Sequence, residues 1–423
     1  MNKFSYDRIY TAAWWFCVVT LPWTIPLNSG AIILLGLVWL TEGAPAEQWH
    51  RLKNATWIVP FILFFAMHVI GLLYSQDYKI GSFELEKKLS FLVIPIIAAS
   101  GRTLPKSSID LLKKGFVHSC LTIVLVSILL SLNTVLSHPD SLPQNFDPQT
   151  SQLFHQLNPD ASPWWEYFSY IQVGEWIDIH PAYFSMYLVF CIIIVVQDML
   201  KVMKINYWGC AVIAILLFFI TLLSSRMAIL SLPIVMLYLL YHYSGYPYRR
   251  YIAMTGIFIA LLVVLVWLNP VSRFRILQEP ILTSLHIDQS KTEWNSVSLR
   301  LLEWKGSLHV LSESWLLGSG SGDAQAELQK YYVNFNESTA GLTYNAHNQY
   351  LQTAMELGLV GFVLLMICFI PSMVSALQQN PVQVAFILLF CLMCLTESIL
   401  ARQKGIVFFT LFQSIFMRSA VNP

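Results

Sequence analysis

Hydrophobic positions in this chain gather into long runs separated by short polar breaks. A helix needs roughly 20 apolar residues to cross the hydrocarbon core of a bilayer. Apolar runs at 10–26, 28–41, 56–74, 89–100, 114–137, 181–200, 206–223, 226–243, 251–268, 352–371, 381–397 and 403–418 predict about twelve transmembrane helices in an all-α polytopic protein. The runs at 28–41 and 89–100 are short for a full crossing. No small-residue cleavage site follows Trp14-Trp15-Phe16, so the first span is expected to be retained.

Two long polar stretches interrupt this pattern and divide the chain. Residues 1–268 read as an N-terminal transmembrane bundle of about nine spans that includes a loop at 138–178. Residues 269–346 read as a large extramembrane loop, and 347–423 as C-terminal transmembrane helices. Within the second loop, Val297, Leu301, Trp304, Leu308, Leu311 and Trp315 recur at spacings of three and four. This predicts a helix with one apolar face, lying on the membrane surface or capping a bundle. It ends at Leu317-Gly318-Ser319-Gly320-Ser321-Gly322. Such a run is either a plain turn or, where amides converge, a phosphate cradle.

Composition narrows the class. The 423 residues are 56% hydrophobic and 12% charged, against about 25% charged in soluble domains. The net charge of +1 gives no reason to expect nucleic acid as a partner. The seven cysteines sit in apolar stretches, and the one close pair, Cys391 and Cys394, has no second pair or histidine at ligand spacing, so neither disulfide nor metal is expected, and no cofactor is expected. Basic residues orient the spans. Arg51/Lys53, Arg102/Lys106/Lys113/Lys114, Lys201/Lys204 and Arg249/Arg250 share one face, expected to be cytoplasmic with both termini. The loops 138–178 and 269–346 then lie on the opposite face, with the turn Leu223-Ser224-Ser225-Arg226. Lys79, Lys87, Lys88, Arg402 and Lys404 run against this trend.

Three residues carry the candidate chemistry. Arg226 opens a helix beside the hydrocarbon, where an arginine either snorkels or binds an anion. Arg300 sits beside the apolar stripe of the loop helix and is a second cation for a phosphorylated lipid. His347 follows the long loop in Asn345-Ala346-His347-Asn348. A histidine there is either structural or a general base. If Asn345 caps the helix, His347 falls in its first turn. The helix dipole would then disfavour imidazolium and leave the neutral, proton-accepting form. His180, before Pro181, is expected at a helix cap. Trp164, Trp165, Tyr167, Phe168, Tyr170 and Trp176 are either an interfacial belt or glycan-contacting rings. His68 and His118 read as isolated. The scarcity of intramembrane carboxylates argues against a transporter or flippase.

Ser225-Arg226, Arg300-x-x-Glu303-Trp304, Leu317-Gly318-x-Gly320, His347-Asn348-x-x-Leu351, Glu356-Leu357-Gly358 and Leu395-Thr396-Glu397-Ser398 occur in this order. With the span pattern, they resemble the O-antigen ligase and O-antigen polymerase superfamily of bacterial inner-membrane proteins. The resemblance implies a metal-independent, inverting glycosyltransferase facing the periplasm. The donor would be a glycan on undecaprenyl pyrophosphate and the acceptor a lipid A-core sugar or another glycan, within membrane lipid. It implies His347 as the base, with Arg226 and Arg300 on the pyrophosphate. Glu303, Tyr350, Glu397, Arg402, His180, Trp164 and Trp165 would be supporting substrate contacts. Ligase, polymerase and protein O-glycosylation activities remain open on these residues.

Overall fold

Each apolar run holds a helix, because in lipid only a helix satisfies its own amides and carbonyls within one segment. The computed structural model describes residues 3–137, 148–162, 164–202, 206–243, 248–282, 287–288, 294–377 and 380–420. Lys204, residues 138–147 of the first loop and most of 283–293 of the second lie outside the described residues. Among the described residues there is no strand.

Four helices are long and apolar enough to cross a membrane: Thr56–Leu73, Lys106–Ser137, Pro181–Val202 and Gln349–Val374. Two bent pairs, Ile25–Leu40 with Pro45–Asn54 and Gly256–Leu268 with Pro270–Gln278, raise the number to six if each pair is one span. The bends of 114° and 105° fall at Pro45 and Pro270, where proline starts a new helix and cannot continue the old one. Asn269 caps the second turn through the amides of Val271 and Ser272. The protein is a multi-pass helical membrane protein.

Pro181–Val202 forms the centre. It packs against Lys106–Ser137, Tyr207–Leu223, Arg226–His242 and Pro381–Met393. Phe190 meets Phe386 at 4.9 Å and Phe412 at 4.7 Å, and Tyr187 meets Phe408 at 4.6 Å between ring centroids. Edge and tilted ring pairs of this kind fix the register of neighbouring helices.

Gln349–Ala376 is broken at Gly358, which holds φ 65° and ψ −163° inside the helix. The break removes the 359-to-355 and 360-to-356 hydrogen bonds. The Gly-rich loop replaces both. Leu359 and Val360 amides donate to the Trp315 and Leu316 carbonyls, at 2.8 and 3.3 Å. The Ser319 and Gly320 amides donate to the Met355 and Glu356 carbonyls at 3.0 Å. The loop therefore spends its amides on the helix, and the phosphate-cradle reading has no donors left at these positions.

The loop helix forms over Ser296–Glu313 with a capping box at Asn295 and Ser298. Its buried face differs from the expected one. Ser298, Leu302, Glu303, Gly306, Ser307 and Val310 point inward, while Leu308 and Trp315 are exposed. Small and polar residues stand beside Leu302 and Val310 on the inward face, which packs on Ala324–Phe335 and on the broken helix at close range. A Cβ on Gly306 would meet the Tyr331 ring at 2.7 Å.

A Cβ on Gly358 would lie 2.2 Å from the Leu316 carbonyl. The left-handed backbone alone disfavours alanine there by about 1–3 kcal/mol. Gly358→Ala should lower the unfolding temperature of the detergent-solubilised protein by several degrees. Gly30→Ala, which meets nothing within 4 Å, should leave it unchanged or raise it slightly.

Candidate functional site

The start of the broken helix is fixed by polar side chains. Asn348, and not Asn345, is its cap: the Asn348 carboxamide accepts from the Tyr350 and Leu351 amides at 2.9 and 3.1 Å. Asn345 instead accepts the His347 amide at 3.0 Å. His347 thus precedes the helix and does not lie in its first turn. It takes a left-handed conformation, φ 39°, which a non-glycine residue adopts only where its surroundings enforce it.

Those surroundings can be traced. The Ala346 amide donates to the Gln352 carboxamide oxygen at 3.0 Å, and Gln352 Nε2 donates to Glu356 Oε1 at 2.8 Å. Glu356 Oε2 lies 3.7 Å from His68 Nε2 and 3.8 Å from Lys88 Nζ. All three side chains are buried. His68 is therefore not isolated, and the chain does hold a buried carboxylate within its apolar helices. Its partners lie too far away in sequence for spacing to reveal them. On the other side, Asn348 Nδ2 donates to the Leu395 carbonyl at 3.0 Å, and the Leu400 amide donates to Gln349 Oε1 at 2.6 Å. These bonds dock the 394–400 segment, with Glu397, against the helix start.

Glu303 comes from the inward face of the loop helix and accepts from His347 Nδ1 at 3.0 Å. A carboxylate only accepts, so Nδ1 carries the hydrogen and Nε2 keeps its lone pair. Nε2 makes no hydrogen bond with the described residues. Burial pulls against the charged ring. The hydrogen bond and charge of Glu303, with Glu397 behind it, outweigh burial and raise the His347 pKa above the ordinary histidine value. The shift runs opposite to the one expected from the helix end, because a carboxylate at 3.0 Å acts more strongly than the positive end of a helix whose first turn begins two residues later.

The arginines are paired. Arg300 Nη2 donates to Glu397 Oε1 at 2.8 Å. Arg226 donates through Nη2 to Glu279 Oε2 and through Nε to the Arg275 carbonyl, both at 2.7 Å. Ser296 amide and hydroxyl groups hold the other Glu279 oxygen at 3.0 and 2.6 Å. Glu397 is buried, which favours its protonated form, but Arg300, His180, His347 and Arg402 together hold its pKa below the usual carboxylate value. His180 receives the Ala182 amide at Nδ1 (3.4 Å), the expected cap position. Burial and the nearby cations hold its pKa down at about 4, so it stays neutral.

The structure thus joins His347, Glu303, Arg300, Glu397, Arg402 and His180 in one electrostatic cluster, and Arg226 borders it through its interaction with Arg300. Tyr350 turns away: its hydroxyl donates to the Cys391 carbonyl at 2.9 Å. Trp164 and Trp165 stack at 4.2 Å in a separate groove of about 400 Å³ with Asn158, Asp160, Ser162 and Arg273. Glu279, Arg275 and Gln352 belong to the site or its support and were not singled out in the sequence, while Glu356 was noted only as part of Glu356-Leu357-Gly358. Glu279 follows two turns after a helix break, and only its distance from Arg226 reveals it.

Residues 211–366 match the family model described as O-antigen ligase. The matched stretch is less than half of the chain. It spans Arg226, Arg300, Glu303 and His347 and stops short of Glu397. No curated protein matches the chain.

Glu303→Gln removes the charge that raises the His347 pKa. The pH midpoint for carbethoxylation of His347, read by peptide mass spectrometry, should therefore move to lower pH, since the reagent attacks only neutral imidazole. An unmoved midpoint would refute Glu303 as the cause. Glu356→Ala leaves buried His68 without its carboxylate and Lys88 with Glu84 alone, at 3.4 Å. It should destabilise the protein by about 3–5 kcal/mol, seen as a lower unfolding temperature, and Glu356→Gln should recover part of the loss by keeping the Gln352 contact.

Proposed function

From the O-antigen ligase match over residues 211–366, we propose that this chain is a glycosyltransferase that moves a glycan from undecaprenyl pyrophosphate to a sugar hydroxyl, most simply on lipid A-core. The observation that carries the reading is the His347–Glu303 pair beside paired, partly buried arginines. His347 Nε2 takes the acceptor proton as the hydroxyl oxygen attacks the anomeric carbon. The proton remains on the ring, and Glu303 stabilises the imidazolium that forms. The bond from the anomeric carbon to the phosphate oxygen breaks, and undecaprenyl pyrophosphate leaves with the bonding pair. Arg226 and Arg300 exchange their carboxylates for this phosphate charge as it grows. A single direct attack inverts the anomeric centre. No step requires a bound cofactor.

In this reading about twelve spans place both termini in the cytoplasm of a bacterial inner membrane. The 269–346 segment and the site face the periplasm. Residues 1–268 and 347–423 form the bundle around it. The exposed Leu308 and Trp315 of the loop helix suit its lying at the lipid surface. Two long extramembrane segments also fit a polymerase that extends one lipid-linked glycan with another, or a protein O-glycosylating relative.

His347→Ala should reduce transfer about 10²–10⁴-fold, the span expected for a general base, with the protein still present in the membrane. Arg226→Lys should also be severely impaired, because lysine cannot supply the planar fork. The assay gives purified protein the undecaprenyl-pyrophosphate glycan with or without lipid A-core. Transfer only with core supports ligation and self-elongation supports polymerisation. Near-normal transfer by His347→Ala would remove the base assignment.

A further inference from the structure

Arg275 is a buried guanidinium to which neither the sequence nor the proposed chemistry gives a role. It is 8% exposed. It lies in a π-helical turn, Phe274–Gln278, directly after the 105° bend at Pro270. Such turns are rare and concentrate at functional sites. Its guanidinium carbon sits 3.4 Å from the centre of the Tyr170 ring. Tyr170 itself takes a left-handed backbone, φ 55°, anchored by its amide on the Leu222 carbonyl at 2.8 Å. Arg275 forms no ion pair with a described carboxylate, and its buried Nη1 has no hydrogen-bond partner among the described residues.

A buried cation without an acceptor is costly to keep. It is costlier beside another cation, and Arg275 is one of the charges acting on Arg226 and on His180. The backbone reinforces the proximity, since Arg226 Nε donates to the Arg275 carbonyl at 2.7 Å. Around this point stand the guanidiniums of Arg226, Arg275, Arg300 and Arg402, and the carboxylates of Glu279, Glu303 and Glu397. The guanidiniums outnumber the carboxylates, and neither Arg275 nor Arg402 forms an ion pair with a described carboxylate. Stacking on Tyr170 fixes the plane of the fork without using its donors.

We propose that Arg275 is a third guanidinium of the anion site, supplying Nη1 to a phosphate oxygen of a pyrophosphate group, with Tyr170 holding its plane. This deepens the functional reading above and rests on it for the identity of the pyrophosphate. The inference assigns Arg275 to binding and not to proton transfer.

The test uses the full-length protein in detergent with inorganic pyrophosphate as probe, followed by thermal unfolding. Wild type should be stabilised in a saturable way. Arg275→Met should bind pyrophosphate roughly ten- to hundredfold more weakly, the size of one charged hydrogen bond. Its unfolding temperature without pyrophosphate should match or exceed wild type, showing that it folds. Arg275→Lys, which keeps the charge and loses the fork, and Tyr170→Leu, which loses the stacking surface, should both fall between. The KM for the lipid-linked donor should rise with the same ranking. If wild type and Arg226→Met differ as expected while Arg275→Met binds like wild type, Arg275 has no part in the site and the proposal fails alone. If pyrophosphate does not stabilise wild type, the anion site itself fails, and the functional reading with it.

Discussion

Four backbone hydrogen bonds between residues 315–320 and 355–360 set the geometry on which the rest depends. Gly358 opens the helix by one residue's conformation, and the loop returns two donors and two acceptors in register with the four groups released. The fit demands glycine on both sides. A Cβ on Gly318 would meet the backbone at Leu357 within 2.5 Å, and one on Gly358 would meet Leu316 at 2.2 Å. The same loop is wedged against the Val59–Leu73 helix, where a Cβ on Gly71 would strike Ser321 Oγ at 2.7 Å. Asp323 finishes the wedge by accepting the Gln76 and Asp77 amides at 2.7 and 2.9 Å. The loop and the apolar bundle are thus one mechanical unit, and His347, directly after the 269–346 segment, inherits its position from both.

The charged groups follow a consistent rule. Every carboxylate of the cluster has a defined partner: Glu303 with His347, Glu397 with Arg300, Glu279 with Arg226 and Ser296. Buried carboxylates are tolerated on those terms. The pairing also holds the side chains of the cluster in fixed positions. The pairs differ in kind. The His347–Glu303 contact sets a tautomer, while the two arginine contacts hold cations that a stronger anion can claim.

Much of this arrangement was legible in the residues. Apolar length located the helices because lipid leaves the backbone no other option. The helix at 296–313 was legible from its period, but its orientation was not: the predicted stripe is half-buried or exposed, and the inward face is Ser298, Leu302, Glu303, Gly306, Ser307 and Val310. Close packing selects small residues, and a hydrophobicity pattern cannot register them as core. The break at Gly358 was hidden because Glu-Leu-Gly-Leu-Val-Gly reads as helix when the partner loop is not considered. Asn345 and Asn348 are both sound caps, and only the geometry separates them. The direction of the His347 pKa shift was not legible, because Glu303, 44 residues away, overrides the local helix end. The Glu356 cluster draws on Lys88 and His68, which no local signal connects to it.

The break at Gly358 also constrains the order in which the protein can be built. The Gln349–Val374 segment is long and apolar enough to span a bilayer, and before the loop docks Gly358 can hold ordinary helical geometry. Once the helix is broken, two of its amides and two of its carbonyls are satisfied only by residues 315–320. Each such group left open in lipid is disfavoured by several kcal/mol. The break is therefore completed only when residues 315–320, already synthesised, fold back onto the segment.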